Sequence, residues 1–153
     1  MTAQSKLKNI KWKQKPSESI GFLLWQTHNN WQRKLNKVLK PLGLTHVQYI
    51  LLASLQHLET ISNEISQIQL SDFSNTDIMM TSKVVRTLEE KGYVTKNKHP
   101  LDTRAYALSL TKEGDDIVQS TSQHIKEFEK TFFESVLNSP LSFSETLYKL
   151  KQS

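Results

Sequence analysis

Two short runs rich in strand-forming residues, Tyr93 to Lys96 and Ala105 to Leu110, flank a polar loop, Asn97 to Arg104, in a chain whose other segments carry helical periodicity. The loop holds one proline, two cations and one aspartate. An isolated two-stranded hairpin is marginal in water. This pair therefore constrains the fold more than any other feature, because another element has to support it.

The supporting element is the segment just before it. Residues from Ile78 to Lys91 have helical spacing, and Gly92 stands where a C-cap glycine is expected. The polar run Ser74 to Asp77 separates that helix from a shorter one, opened by Ser66 and Gln69 in the spacing of a capping box and ending near Phe73. Thr45 and Gln48 form a second capping box before an apolar helix that reaches about Leu58. Upstream, Ile20, Leu24, Trp31, Leu35 and Val38 recur at helical spacings between Ser17 and Lys40, and Pro41 with Gly43 ends that helix. Downstream, Thr111 is placed to cap a long helix over Lys112 to Asn138. After Pro140, Ser142 and Glu145 open a last helix. The expected order is helix, helix, short helix, turn, helix, hairpin, long helix, short helix. Its middle is a helix-turn-helix followed by a two-stranded wing.

Composition agrees with a mainly helical single domain. The chain has 153 residues, 37% of them hydrophobic, with only four glycines and four prolines. No apolar run reaches membrane-spanning length and no signal-peptide core is present, so a cytoplasmic protein without membrane association is expected. With no cysteine there is no disulfide framework, no thiolate metal site and no peroxide-sensing thiol. The net charge of +5 is unevenly placed: +5 in residues 1–16, zero in 17–75, +3 in 76–112 and −3 in 113–153. A basic N-terminal arm and a basic wing region fit a polyanion such as nucleic acid; a lysine arm is also compatible with a solvated tail.

At 100° per residue the helix from Ile78 to Lys91 divides into two faces. Ile78, Thr81, Val85 and Leu88, with Val84 beside them, form the face expected to be buried. The other carries Met79, Lys83, Arg86 and Glu90, flanked by Met80, Ser82 and Thr87. A solvated face accounts for the charges but not for Met79 at its centre. A helix entering the DNA major groove accounts for both: the methionines are placed for thymine methyls, and Lys83 or Arg86 for guanine or a phosphate. The alternative is that the methionines pack on the preceding helix.

These segments resemble MarR-type winged-helix transcriptional regulators. "GLTHVQYILLASL" (Gly43 to Leu55) is similar to the start of their second helix, "TSKVVRTLEEKGYV" to their recognition helix and first wing strand, and "HPLDTRAYALSLTKEG" to their wing and the entry to their dimerisation helix. The resemblance spans about residues 17–137. It implies a mainly α fold with a small two-stranded β-wing, a winged helix-turn-helix joined to a helical dimerisation domain. The implied division is an N-terminal dimerisation segment over 1–44, a DNA-binding domain over 45–111 and C-terminal dimerisation helices over 112–153. It further implies a homodimer on double-stranded DNA with a pseudo-palindromic operator. Met79, Met80, Ser82, Lys83, Arg86 and Thr87 would read DNA, with Ser66 and Gln67 on the preceding helix. Lys96, Lys98, Asp102 and Arg104 would act in the wing, Asp102 orienting Arg104 into a minor groove; the same pair also reads as an ordinary surface ion pair. Ile10, Trp12, Phe128, Phe132, Phe133, Leu137, Leu147 and Leu150 would serve dimerisation. Two departures limit transfer of sequence preference: Lys96 stands where the family more often has arginine, and Met79-Met80 replace a small polar pair.

The family commonly takes small aromatic or phenolic effectors. Trp25, His28 and Trp31 on the first helix, with His46 and Tyr49 on the second, are the candidate walls; each also reads as a core residue. The five histidines show no tight metal-ligand spacing, and no cofactor is expected. No phosphate loop, nucleophile elbow or paired-acid motif points to an enzyme. The resulting expectation is a dimeric, effector-released repressor. Its rivals are an antirepressor-like protein–protein module without DNA reading and a zinc-responsive regulator.

Overall fold

In the computed structural model, which describes residues 19–98, 106–138 and 140–153, α1 (Ile20–Leu39) runs into a 3-10 turn at Lys40–Leu42. There follow α2 (His46–Glu59), β1 (Ile65–Ser66), α3 (Gln67–Ser74), α4 (Ile78–Glu90), β2 (Val94–Lys98), β3 (Tyr106–Leu110), α5 (Lys112–Phe133) and α6 (Phe143–Gln152). All three capping boxes form. The hydroxyls of Thr45, Ser66 and Ser142 accept from the backbone three residues on, and Gln48, Gln69 and Glu145 return the bond to the cap residue's own N–H. No single helix among the described residues is long and apolar enough to cross a membrane. The described residues fall into two compact units, one up to Lys34 and from Glu129 onward, the other Leu35–Phe128. Their boundaries lie inside α1 and α5 rather than in loops.

The larger unit holds the helix-turn-helix and wing. Its core joins Leu51, Leu52 and Leu55 of α2, Ile65, Leu70, Val85 and Leu88 of the next elements, Val94 and Leu108 of the hairpin, and Val118 of α5. Each fully buried aliphatic side chain contributes about 1.5–3 kcal/mol, so this shared core supports the hairpin. The sheet has three antiparallel strands in the order β1-β3-β2, one more than the two-stranded wing expected. Ile65 pairs with Leu108 and Ser66 with Ala107, while β2 pairs with β3 from Val94↔Leu110 to Lys98↔Tyr106. Burial of Ile65 and the backbone pairing of a two-residue segment create this third strand; neither leaves an alternation long enough to read.

The base of the wing is clamped to α5. Gly92, at φ +77°, closes α4 in the left-handed region. The Thr111 hydroxyl donates to Gly92 O (2.6 Å) and accepts from Gly114 N (3.0 Å), while Thr111 N donates to Tyr93 O (3.0 Å). Gly114 is needed for this approach: a Cβ there would run into the Tyr93 carbonyl oxygen and come 3.0 Å from its carbon. Leu110 N donates to Glu59 Oε1 (2.8 Å), tying the end of β3 to the end of α2.

In the smaller unit, side chains of α1 satisfy the carbonyls at the end of α6. Thr27 Oγ1 donates to Leu147 O (2.9 Å), Asn30 Nδ2 to Leu150 O (3.3 Å) and Lys34 Nζ to Ser153 O. These bonds correct the expected burial of α1. Leu23, Thr27 and Asn30 are buried, as are Leu35 and Leu39, whereas Ile20, Leu24 and Trp25 are exposed. Apolar periodicity skips polar residues whose groups are satisfied by another helix's end. Helix α5 stops at Phe133 rather than Asn138. Turns occupy 134–138, and Asn138 takes a left-handed φ of 62°.

Candidate nucleic-acid interface

The turn between α3 and α4 is built from hydroxyls. Asn75 ends α3 at φ 51°, a conformation that asparagine tolerates. Ser71 Oγ donates to Thr76 O (2.7 Å), and Ser74 Oγ donates to Leu70 O (2.7 Å) and meets Thr76 Oγ1 (2.7 Å). Thr76 Oγ1 in turn meets Thr81 Oγ1 (2.7 Å), which also reaches Asp77 O (2.9 Å). Thr81 is 0% exposed, so its hydroxyl is buried but satisfied, as buried polar groups generally are. Asp77 then caps α4 by accepting from Met79 N (2.9 Å) and Met80 N (3.0 Å). This local chemistry fixes where α4 starts and which face it turns outward.

The inner face of α4 is Thr81, Val85 and Leu88. Ile78 departs from the expected buried stripe at 41% exposed, because it is the first residue of the helix and lies beyond the core. Outward lie Met79, 76% exposed, with Met80, Ser82, Lys83 and Arg86. Thr87 is half-buried, and its hydroxyl donates back to Lys83 O (3.3 Å).

Two cations on this surface already have acidic partners. Arg86 Nε lies 3.3 Å from Glu90 Oε1, one helical turn on, with both side chains exposed. Such an exposed pair is worth little. Lys96 Nζ lies 3.5 Å from Glu89 Oε2, with the lysine side chain only 24% exposed. Lys96 therefore joins the first wing strand to α4. Lys83 has no carboxylate partner among the described residues. Lys98 is exposed at the end of β2, opposite Tyr106, an exposed aromatic that the sequence reading did not single out. Asp102 and Arg104 lie outside the described residues. Ser66 is committed to capping α3, and Gln67 is half-buried.

The other candidate residues divide between the two units. In the smaller one Trp25 and His28 are exposed, and the His28 and Trp31 rings stand 6.1 Å apart at 41°. In the larger one His46 and Tyr49 are half-buried. Of the dimerisation candidates, Phe132, Leu147 and Leu150 are buried by this chain itself, Phe128 and Phe133 are partly buried, and Leu137 is exposed. Ile10 and Trp12 lie outside the described residues. Among the described residues no group of three or more histidines and carboxylates could hold a metal ion.

Comparison with known proteins agrees with this architecture. The MarR family model matches residues 44–106. The chain is 42% identical over 122 residues to the uncharacterised HTH-type transcriptional regulator YdcH of Bacillus subtilis (strain 168), covering 80% of this chain and 83% of that one. Among solved structures, a mutant MarR from E. coli complexed with operator DNA has a TM-score of 0.71 at 22% identity, covering 87% of this chain and 91% of that one. CouR from Rhodococcus jostii RHA1, bound to p-coumaroyl-CoA, has a TM-score of 0.69 at 26% identity, covering 81% and 85%. With its hydroxyl-locked turn, outward-facing α4 and adjoining hairpin, the chain belongs to the MarR family of winged helix-turn-helix transcriptional regulators.

Proposed function

We propose that this protein binds a pseudo-palindromic operator as a homodimer, acts as a cytoplasmic repressor rather than an enzyme, and is released by a small aromatic or phenolic effector. The observation that carries DNA reading is the outer face of α4. A helix exposing Met79 at 76% beside Lys83 and Arg86, with no core to serve there, is matched to a groove that offers thymine methyls and anionic edges. Arg86 is placed for a guanine edge or a phosphate once Glu90 gives it up, and Lys83 and Lys98 for phosphates. Arg104, oriented by Asp102, is assigned to the neighbouring minor groove.

Dimerisation is supported by the apolar side chains that the smaller unit leaves exposed: Ile20, Phe22, Leu24, Trp25, Leu137, Phe143 and Tyr148. A contiguous second copy is the simplest cover for so much apolar surface on two helices and a turn. The effector reading rests on the ligand-bound relative, with Trp25, His28, Trp31, His46 and Tyr49 as the residues to substitute first.

The test is a gel-shift series with the DNA upstream of the protein's own coding sequence. A dimer contacting about 6–10 phosphates should lose roughly 10³–10⁵ in affinity between 50 and 200 mM salt, while still preferring its operator over random DNA. Binding that is salt-insensitive, or equal for random DNA, would remove the proposal.

A further inference from the structure

The outer face of α4 carries a reactive chemistry beyond groove contact. Met79 is 76% exposed and Met80 46%, side by side in the first turn of the helix. Met1 is the one other methionine in the sequence, and the chain has no cysteine. Thioethers and thiolates are among the side chains most readily oxidised, and exposure favours the reaction. With no thiol to compete, the two thioethers on α4 are the softest nucleophiles that this surface offers to an oxidant.

Their surroundings make oxidation there a local event. The backbone N–H groups of Met79 and Met80 are held by Asp77 Oδ1 (2.9 and 3.0 Å), so the start of α4 does not depend on either side chain. The packing of this helix is made by its inner face, Thr81, Val85 and Leu88. A sulfoxide in a core disrupts packing, whereas one on this face alters the surface and leaves the fold. Lys83 stands four residues on from Met79, the spacing that brings helix side chains together, and has no carboxylate partner among the described residues. A sulfoxide oxygen on Met79 is an acceptor placed for that ammonium group. Oxidation therefore replaces an apolar tip by a polar one and engages the cation beside it.

We propose that Met79, with Met80 beside it, is a reversible oxidation site for hypochlorous acid, and that its sulfoxide weakens operator binding. The sulfur lone pair takes chlorine from hypochlorous acid: an S–Cl bond forms as the O–Cl bond breaks and hydroxide leaves. Water then displaces chloride, forming the S–O bond and breaking the S–Cl bond, and its protons go to the hydroxide and to solvent. The balance is thioether plus hypochlorous acid to sulfoxide, chloride and a proton, with sulfur oxidised and chlorine reduced. Hydrogen peroxide attacks neutral thioethers far more slowly, because its oxygen is a weaker electrophile than this chlorine. Sulfoxide reductases, one for each epimer, reverse the change. A sulfoxide does not match a thymine methyl, and its oxygen faces the acceptors of the base edges. That consequence rests on the reading of α4 as the DNA-contacting helix; the modification itself does not.

The test separates the two. The full chain is treated, without DNA, with a small molar excess of hypochlorous acid, and peptide masses locate the added oxygen. Oxygen on Met79, and more slowly on Met80, is expected, with an unchanged thermal midpoint and with reversal by the two sulfoxide reductases and dithiothreitol. Operator affinity, read by fluorescence anisotropy, should fall about tenfold or more in the oxidised protein and return after reduction. In the Met79→Leu/Met80→Leu protein, compared only with its own untreated form, the same treatment should leave affinity where it began. Met79→Gln should reproduce the loss without oxidant. Four results overturn the proposal: a Met79 that stays reduced while other side chains are modified, a lowered thermal midpoint, equal oxidation by the same concentration of hydrogen peroxide, or an affinity loss that persists in the double leucine protein. Full operator affinity of the Met79 sulfoxide form overturns it as well. Bound operator should slow the oxidation of Met79. Operator binding by the untreated protein without that protection would sink the reading of α4 alone, while the mass and reductase results decide the modification by themselves.

Discussion

Thr81→Val is the sharpest probe of what holds the helix-turn-helix together. Valine has nearly the same shape, keeps a β-branched side chain in the helix and replaces the hydroxyl with a methyl in a site that is 0% exposed. Two contacts are lost, to Thr76 Oγ1 and to Asp77 O, but with one proton on each of the Ser74, Thr76 and Thr81 hydroxyls the network gives up one hydrogen bond, since Thr76 can then donate to Ser74. Neither partner is orphaned: Thr76 Oγ1 keeps Ser74 Oγ at 2.7 Å, and Asp77 O keeps Thr81 N at 2.8 Å. The cost is therefore that of one net hydrogen bond, about 0.5–1.5 kcal/mol, without the larger penalty of an unsatisfied buried group. Urea unfolding at one fixed protomer concentration measures it, since self-association shifts apparent stability. The midpoint should fall with little change in slope. A cycle with Thr76→Val should show coupling, because the two residues share one bond. A Thr81→Val protein within about 0.3 kcal/mol of the parent would refute the hydroxyl lock.

Other consequences are equally direct. Gly114→Ala forces a methyl against the Tyr93 carbonyl and should cost about 1–3 kcal/mol of stability in a thermal melt. An unchanged melting temperature would show that α5 does not start against the wing base. Arg86→Ala should weaken operator binding by about 1–3 kcal/mol, whereas Met79→Ala should relax preference at one base step and leave the salt slope unchanged; anisotropy with variant operators distinguishes them. At the start of α6, bonds from the Ser142 hydroxyl and backbone N–H hold the Glu145 carboxyl below its usual range. Because the folded pKa is lowered, the stabilisation is present above the ordinary carboxylate pKa and is lost as pH falls through the lowered value. In Ser142→Ala, which keeps the backbone N–H bond, an NMR titration should find Glu145 moved part of the way back toward the ordinary range.

What could be read from the sequence was local. The capping boxes at Thr45, Ser66 and Ser142 need only residues three apart, and all three form. The inner face of α4 follows from periodicity at Thr81, Val85 and Leu88, and Met79 stood out as exposed for the same reason. What could not be read depends on partners distant in sequence. Strand β1 exists only because β3 pairs with it. Thr27 and Asn30 are buried because the end of α6 needs donors, a demand invisible from α1 itself. The Lys96–Glu89 pair and the Lys91 bridge to Gly43 depend on how the wing and the start of α2 come against α4. Helix α5 ends at Phe133 with neither glycine nor proline to mark the place, as Pro140 lies seven residues further on.

The central claim is that the outer face of α4 enters the major groove. The chain has no cysteine, so Met79→Cys places a unique thiol on that face. Operator DNA carrying a disulfide-tethered thiol on a major-groove base edge is mixed with this protein, in parallel with DNA carrying the tether in the minor groove. The account predicts efficient cross-linking to the major-groove tether, at two positions about one helical turn apart, and none to the minor-groove tether. Cross-linking to the minor-groove tether, or to neither while the protein still binds the operator, would contradict it.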